Sequence, residues 1–264
     1  MSFLNVGSCV LHYLAEGAPD KPALVFSNSL GSDLRIWDAM VPLFAEDFRV
    51  IRYDTRGHGL SEAPAPPYSA EDLARDVLGL LDALHIKEAV VCGLSVGGVI
   101  AQQLAISHTD RVRALVLCDT GARIGTVASW EERMATVKAR GLGALATSSM
   151  ERWFSEDFRG RRADEVRGYA NMVVRTAVNG YLGTCCALRD ADLTQGATQI
   201  HKPTLVLCGE QDIATPPEMA RELARVIPNA RLSLIPKAAH ISCVEQPKAM
   251  AEQMMQFFRE VHIV

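Results

Sequence analysis

The stretch Cys92–Gly98, with the sequence CGLSVGG, decides the fold that the rest of the chain builds. A short apolar run precedes it, and the helix-forming segment Val99–Ala105 follows it. This succession predicts a buried strand, a sharp turn with Ser95 at its apex, and a helix. A strand that turns directly into a helix leaves no room for side chains beside the apex. Gly93 and Gly97 are the two positions that remove those collisions.

Ser95 is the candidate nucleophile of this turn, because the pattern G-x-S-x-G is that of a nucleophile elbow. Its hydroxyl would project beyond the edge of the sheet. The helix behind it begins with unpaired N–H groups and the positive end of its dipole, so negative charge that develops near Ser95 would be stabilised. The structural alternative is a glycine-rich turn that only lets a helix pack closely on a sheet.

Composition limits the classes of protein to consider. The chain has 264 residues, of which 48% are hydrophobic and 22% charged, enough for one α/β domain with or without an insertion. The net charge is −4, and neither a basic stripe nor a polybasic cluster is present. We therefore expect no nucleic-acid partner and no membrane partner.

The N-terminus and the cysteines suggest where the protein works. The first residues, MSFLN, lack the charged and apolar regions of a signal peptide, and no apolar run is long enough to span a bilayer. The seven cysteines include no C-x-x-C pair, and Cys92, Cys118 and Cys208 lie in apolar runs as reduced, buried thiols do. We expect a cytoplasmic protein with no disulfide framework, no metal site and no cofactor.

Strand and helix patterns alternate along the first part of the chain. An opening hairpin is predicted over Phe3–Ala15, and helices over 36–44 and 69–84, the second with a capping box. The predicted strands of this part and of the end of the chain are Pro22–Asn28, Phe48–Tyr53, Ala89–Val91, Val112–Cys118, Pro203–Cys208 and Arg231–Ile235. Such alternation predicts an α/β fold with a mostly parallel sheet covered by helices on both faces.

The pattern changes between residues 123 and 200, where strand-like runs vanish and four helical or irregular segments follow one another. We predict that residues 123–200 form an inserted helical cap, while 1–122 and 201–264 form the core. In open sheets of this kind, ligands bind outside the carboxyl ends of the strands. The cap is expected to cover that edge as a lid.

A base and an acid are needed to activate a serine hydroxyl. His240 follows the last predicted strand and Asp212 the strand before it. The order Ser95, Asp212, His240 is the chain order of serine, acid and base in proteins that carry this elbow. Two other acids stay open at this point, because Glu210 neighbours Asp212 and Asp119 also follows a strand near the elbow.

An oxyanion hole requires two N–H groups directed at the developing charge. The backbone N–H of Val96, immediately after the serine, is one candidate. The N–H of Leu30 is the second, because the small-residue loop that contains it follows the neighbouring strand.

With these residues placed, the chain resembles the α/β-hydrolase superfamily along nearly its full length, and within it the 3-oxoadipate enol-lactonases. Superfamily-wide features are the elbow and the turn Arg56–Gly59. The resemblance to the enol-lactonases in particular rests on the loop Asn28–Gly31 (NSLG) and the segment Gly180–Asp190 (GYLGTCCALRD). Many relatives have His-Gly where this chain has Asn28-Ser29, a departure that fits the enol-lactonase type.

The resemblance implies a serine hydrolase that opens an enol-lactone bearing a carboxylate side arm, without a metal or cofactor, in aromatic-compound degradation. Such a carboxylate requires a cation in the pocket. In the cap, Trp130 and Arg133 lie three residues apart on one helix face, which makes them the first candidates. Arg175 and Arg189 are the alternatives, and Cys185–Cys186 either line the pocket or pack in the cap.

Other functions remain open on the same triad. A carboxylesterase, a cofactor-free perhydrolase and a C–C bond hydrolase share the core motifs, so the cap and the pocket must distinguish them. A non-catalytic ligand-binding protein is the alternative from a different class. Aspartate-nucleophile enzymes of this fold are disfavoured by Ser95.

Overall fold

The computed structural model describes residues 2–264, and its centre is an eight-stranded sheet. The strands are β1 (Ser2–Asn5), β2 (Val10–Glu16), β3 (Ala23–Ser27), β4 (Arg49–Tyr53), β5 (Ala89–Leu94), β6 (Val112–Cys118), β7 (Thr204–Gly209) and β8 (Arg231–Ile235). Their order in the sheet is β1-β2-β4-β3-β5-β6-β7-β8. The pairs β1–β2 and β2–β4 are antiparallel. All other neighbouring strands in this order are parallel, as the alternating pattern predicted.

Eleven helices accompany the sheet among residues 2–264. They are α1 (Ala70–Ala83), α2 (Val96–Ser107), α3 (Val127–Arg140), α4 (Ala146–Trp153), α5 (Glu156–Arg161), α6 (Ala163–Arg175), α7 (Val178–Asp190), α8 (Thr194–Ala197), α9 (Pro217–Val226), α10 (Ser242–Glu245) and α11 (Pro247–Glu260). The predicted capping box of α1 is confirmed, since Ser69 and Asp72 bond reciprocally. None of these helices combines the length and the apolar character needed to cross a membrane.

Both faces of the sheet are buried, because neighbouring residues of each central strand enter different apolar clusters. In β5, Val91 joins the cluster under α1 and α2, whereas Val90 and Cys92 join the cluster under α11. All six residues of β5 are buried. A strand that is covered on both faces has no solvent-facing positions for polar residues, which explains why the sequence of β5 is a continuous apolar run.

The predicted helix over residues 36–44 is wrong. Two short 3₁₀ turns, Leu34–Trp37 and Val41–Leu43, lie there instead. Ile36, Trp37 and Met40 are buried against the sheet at helical spacing, which produced the misleading periodicity. Pro42 lacks the N–H that a continuous α-helix would require at this point.

Helices α3 to α8 occupy the chain between β6 and β7, and this region includes the predicted cap, residues 123–200. Within it, α6 ends at Arg175 and α7 starts at Val178. The Thr176 hydroxyl donates back to the Met172 carbonyl at 3.1 Å, which closes the last turn of α6. Gly57 and Gly180 touch backbone to backbone, so any Cβ on Gly180 would lie 2.2 Å from the Gly57 Cα. This contact packs α7 directly on the loop after β4.

Candidate active site

The predicted elbow is present between β5 and α2. Ser95 has φ +59° and ψ −116°, a conformation that residues with side chains rarely adopt. The backbone on either side holds it there: the Ser95 N–H donates to the Cys118 carbonyl at 3.0 Å, and the Thr120 hydroxyl donates to the Ser95 carbonyl at 2.7 Å. Both partners come from the end of β6, so the neighbouring strand fixes the apex.

The two glycines have the steric role that the pattern predicted. A Cβ on Gly93 would lie 2.1 Å from the Gly97 carbonyl oxygen, and one on Gly97 would lie 2.2 Å from the Ser27 carbonyl oxygen. Real Cβ atoms do not approach backbone so closely, and backbone cannot move aside as a flexible side chain can. The elbow is therefore possible only with glycine at both positions.

Gly97→Ala should lower stability strongly, because the new methyl group would force α2 away from the end of β3. We expect a loss of about 2 kcal/mol or more, which in a chain of this size lowers the melting temperature by about 4–8 °C. Gly143→Ala is the matched control, since no atom lies within 4 Å of its Cβ position. Equal melting temperatures for the two variants, measured by circular dichroism, would contradict the steric argument.

His240 and Asp212 are hydrogen-bonded to each other. The imidazole Nδ1 lies 2.9 Å from Asp212 Oδ2, and the other carboxylate oxygen accepts the N–H groups of Ala214 and Thr215 at 2.7 and 3.0 Å. The Thr215 hydroxyl donates to Oδ2 at 2.6 Å. Burial opposes ionisation of Asp212, but the charge of His240 and these hydrogen bonds hold the pKa of its carboxyl below the usual range. Asp212 is thus suited to orient the imidazole and to stabilise its protonated form.

Asp119 and Glu210, the other two candidate acids, do not bond to His240. Glu210 is exposed. Asp119 is fully buried, accepts the Gly209 N–H at 2.7 Å, and lies 2.5 Å from the Ser242 hydroxyl. Burial and then the charge of Asp212 raise the pKa of Asp119 well above its usual range, which favours its neutral form. Asp119 therefore joins the chain segments that carry Asp212 and His240 without touching the imidazole.

One group of side chains in this region has the composition of a metal site. Ligand atoms of Asp119, Cys208 and Asp212 lie within 4.8 Å of one another, and all three residues are buried. Both carboxylates are already hydrogen-bonded, as described above. Burial raises the pKa of the Cys208 thiol, so the thiolate that a metal would need is disfavoured. The donor set is therefore a poor fit for a metal ion.

Ser95 and His240 line one pocket. The same pocket is lined by Ser29 and Leu30, whose loop follows β3. Asn28 holds this loop in place, because its amide donates to the Tyr53 carbonyl at 2.7 Å and its carbonyl accepts the Trp37 indole N–H at 3.0 Å. The asparagine that distinguishes this chain thus acts as a structural anchor for the Leu30 loop.

Val96 occupies the first position of α2, directly after Ser95. A helix offers no acceptor to the N–H at that position. The Val96 N–H therefore stays the predicted donor of an oxyanion hole.

The cap contributes Trp130 and Arg133 to this pocket. The guanidinium carbon of Arg133 lies 5.8 Å from the centroid of the Trp130 ring, and the indole N–H donates to the Ile124 carbonyl at 2.7 Å. The tryptophan is therefore fixed, and the arginine is stacked on it, on one face of α3 as the spacing predicted. The alternative arginines lie elsewhere: Arg189 is paired with Asp190 outside the pocket, and Arg175 lines a different cavity.

Three further pocket residues were not predicted from the sequence. Arg152 and Trp153 come from α4, and Tyr181 from α7. Partial desolvation, followed by the charge of Arg133, lowers the pKa of the Arg152 guanidinium. The adjacent arginine and tryptophan were the only feature of the sequence that could have indicated that α4 contributes to the pocket. Cys185 is buried and Cys186 half-buried, and neither lines the pocket.

Comparisons with known proteins agree with this geometry. Residues 22–247 match the family model for the alpha/beta hydrolase fold. The chain is 37% identical to 3-oxoadipate enol-lactonase 2 of Acinetobacter baylyi over 93% of its own length and 92% of that protein. The crystal structure of the enol-lactonase from Burkholderia xenovorans superposes with a TM-score of 0.95 at 40% identity, covering 98% of this chain and 100% of that one.

A thermophilic esterase from Thermogutta terrifontis, solved with malate bound, superposes with a TM-score of 0.93 at 27% identity and covers 99% of this chain and 100% of its own. The chain belongs to the α/β-hydrolase fold family. Within that family, the predicted resemblance to the 3-oxoadipate enol-lactonases is confirmed by relatives that match it over more than nine-tenths of both chains.

Proposed function

We propose that the protein is a serine hydrolase that opens 3-oxoadipate enol-lactone to 3-oxoadipate through an acyl-serine intermediate. The observation that carries the proposal is one pocket in which Ser95, His240 and the Leu30 loop face Trp130 and Arg133. The first group supplies acyl-transfer chemistry. The second supplies a flat apolar wall and a cation, which a lactone with a carboxylate arm requires.

The reaction follows from the positions of the groups. His240 accepts the proton of the Ser95 hydroxyl as the serine oxygen attacks the lactone carbonyl. The tetrahedral oxyanion is stabilised by the N–H groups of Leu30 and Val96. The intermediate collapses with cleavage of the ring C–O bond, and protonated His240 gives its proton to the departing enol oxygen.

The second half of the reaction releases the acyl group. His240 takes a proton from a water molecule, which attacks the acyl-serine and frees a carboxylic acid and the Ser95 hydroxyl. The enol converts to the ketone, which favours the overall hydrolysis. Asp212 holds the imidazole in the required orientation in both halves.

Arg133 is proposed to bind the carboxylate arm of the lactone. Arg133→Gln should raise KM for the lactone by about tenfold or more, the value of one charge-assisted contact, with a smaller change in kcat. Hydrolysis of a neutral aryl ester should fall much less. Loss of lactone absorbance in the ultraviolet measures the first reaction, and phenolate release the second. An equal loss on both substrates would contradict a role in carboxylate binding.

Turnover of freshly prepared 3-oxoadipate enol-lactone tests the proposal as a whole. Rapid hydrolysis supports it. Cleavage of the aryl ester without cleavage of the lactone would reject the lactonase and leave a carboxylesterase. We further propose that the enzyme acts in the cytoplasm on this small anionic substrate, in the degradation of aromatic compounds through protocatechuate or catechol, and that it has no nucleic-acid or membrane partner.

A further inference from the structure

Two arginines line the catalytic pocket, and neither has an anionic partner within residues 2–264. Arg133 comes from α3 and Arg152 from α4, and no aspartate or glutamate is among the residues that line this pocket. Four other cap arginines are ion-paired with a neighbouring acid, in the pairs Arg161–Asp157, Arg162–Glu165, Arg167–Asp164 and Arg189–Asp190. The remaining arginines of the cap do not line this pocket. Two unpaired guanidinium groups in one pocket form an arrangement that a ligand with negative charge would complete.

The two guanidinium groups have different surroundings. Arg133 is stacked on Trp130, the residue one helical turn before it in α3. Arg152 directly precedes Trp153, whose carbonyl accepts the N–H of Ile241, the residue after His240, at 3.0 Å. Arg152 is also exposed, so an incoming anion can reach it. Arg152 is therefore assigned to the triad side of the pocket, and Arg133 to the Trp130 wall.

The proposed reaction changes the number of negative charges in this pocket. The lactone has one carboxylate, on its side arm. Attack at the lactone carbonyl and hydrolysis of the acyl-serine convert that carbonyl into a second carboxylate, next to Ser95. The single carboxylate of the lactone can neutralise only one of the two guanidinium charges, whereas the two carboxylates of the product can neutralise both.

We propose that Arg133 and Arg152 make the catalytic pocket a dicarboxylate site, with Arg133 binding the side-arm carboxylate and Arg152 the carboxylate formed at Ser95. This inference rests on the proposed function for the identity of the product, but the binding of linear dicarboxylates does not require turnover. The pocket should therefore bind six-carbon dicarboxylates more tightly than monocarboxylates of equal length. Arg152 then determines affinity for the product more than affinity for the lactone.

Calorimetric titration of the whole protein with adipate and with hexanoate tests this assignment. Adipate should bind at least about tenfold more tightly than hexanoate. Arg152→Gln should lower the affinity for adipate by about tenfold and the affinity for hexanoate by less than about twofold. Arg133→Gln should lower the affinity for both ligands. Arg140→Gln removes the same charge from the exposed end of α3, outside the pocket, and should weaken neither.

Three results would overturn the inference. Adipate that binds no better than hexanoate would remove the second anion subsite. Equal weakening of both ligands by Arg152→Gln would mean that both arginines hold a single carboxylate. If Arg152→Gln unfolds, Arg152→Met removes the charge and keeps an unbranched side chain, and an unchanged adipate preference in a folded Arg152→Met protein would also reject the assignment.

Turnover of the lactone is measured separately from these titrations. Adipate binding with the expected pattern but no lactone hydrolysis would reject the proposed function alone. Lactone hydrolysis without the adipate preference would reject the dicarboxylate site alone.

Discussion

Ser95→Ala is expected to lower kcat for lactone hydrolysis by about 10⁴–10⁶-fold while the protein stays folded. Removal of the hydroxyl leaves no group that can form the acyl-enzyme. The pocket, the Asp212–His240 pair and the N–H groups of the proposed oxyanion hole are untouched, so ligands should bind with nearly unchanged affinity. Alanine needs the same positive φ that Ser95 adopts, and the melting temperature should move by only a degree or two.

The variant separates three functions that the fold allows. A covalent mechanism requires loss of turnover on both lactone and aryl ester, together with an acyl adduct on the wild-type serine that mass spectrometry detects after rapid quenching. Substantial residual turnover in Ser95→Ala would indicate direct attack of water with His240 as the base. A wild-type protein that binds lactone without converting it would instead be a ligand-binding member of the family.

The elbow was predictable from the sequence because its causes are local. Gly93 and Gly97 are required by atoms within a few residues or in the adjacent strand, and the strand, serine and helix are contiguous in the chain. The order of Asp212 and His240 after two successive strands was predictable for a similar reason. Parallel strands bring their carboxyl ends to the same edge, whatever the loops between them contain.

Features that depend on packing between distant segments were not predictable in the same way. Arg152 enters the pocket only because of how α4 packs against α6, and nothing in the sequence near Arg152 fixes that packing. The choice among three acids also needed tertiary contacts, since Asp119, Glu210 and Asp212 all follow strands. The helix expected over 36–44 was wrong because apolar spacing reports which residues face the sheet, and two 3₁₀ turns present nearly the same face.

Asp212→Asn should lower kcat by about 10³–10⁴-fold, the second large effect that the site predicts. An asparagine can fill the same space, but its amide cannot stabilise a protonated imidazole, and its NH₂ group can present a donor where Nδ1–H needs an acceptor. The Ala214 and Thr215 N–H groups keep the side chain in position, so the loop should stay folded. Circular dichroism checks the fold, and lactone turnover at neutral pH measures the loss.

Asp119→Asn is the matched comparison, because Asp119 is equally buried and lies at the end of the adjacent strand. Asp119 accepts the Gly209 N–H and the Ser242 hydroxyl. An asparagine keeps the first bond through its carbonyl oxygen, and its NH₂ group can donate to the Ser242 oxygen, because a hydroxyl both donates and accepts. Asp119→Asn should therefore cost less than about tenfold in kcat, whereas Asp119→Ala, which disconnects Gly209 from Ser242, should cost more and lower the melting temperature. Equal losses of kcat for Asp119→Asn and Asp212→Asn would mean that Asp119 is ionised and supports His240 electrostatically. The assignment of a neutral, structural role to Asp119 would then be wrong.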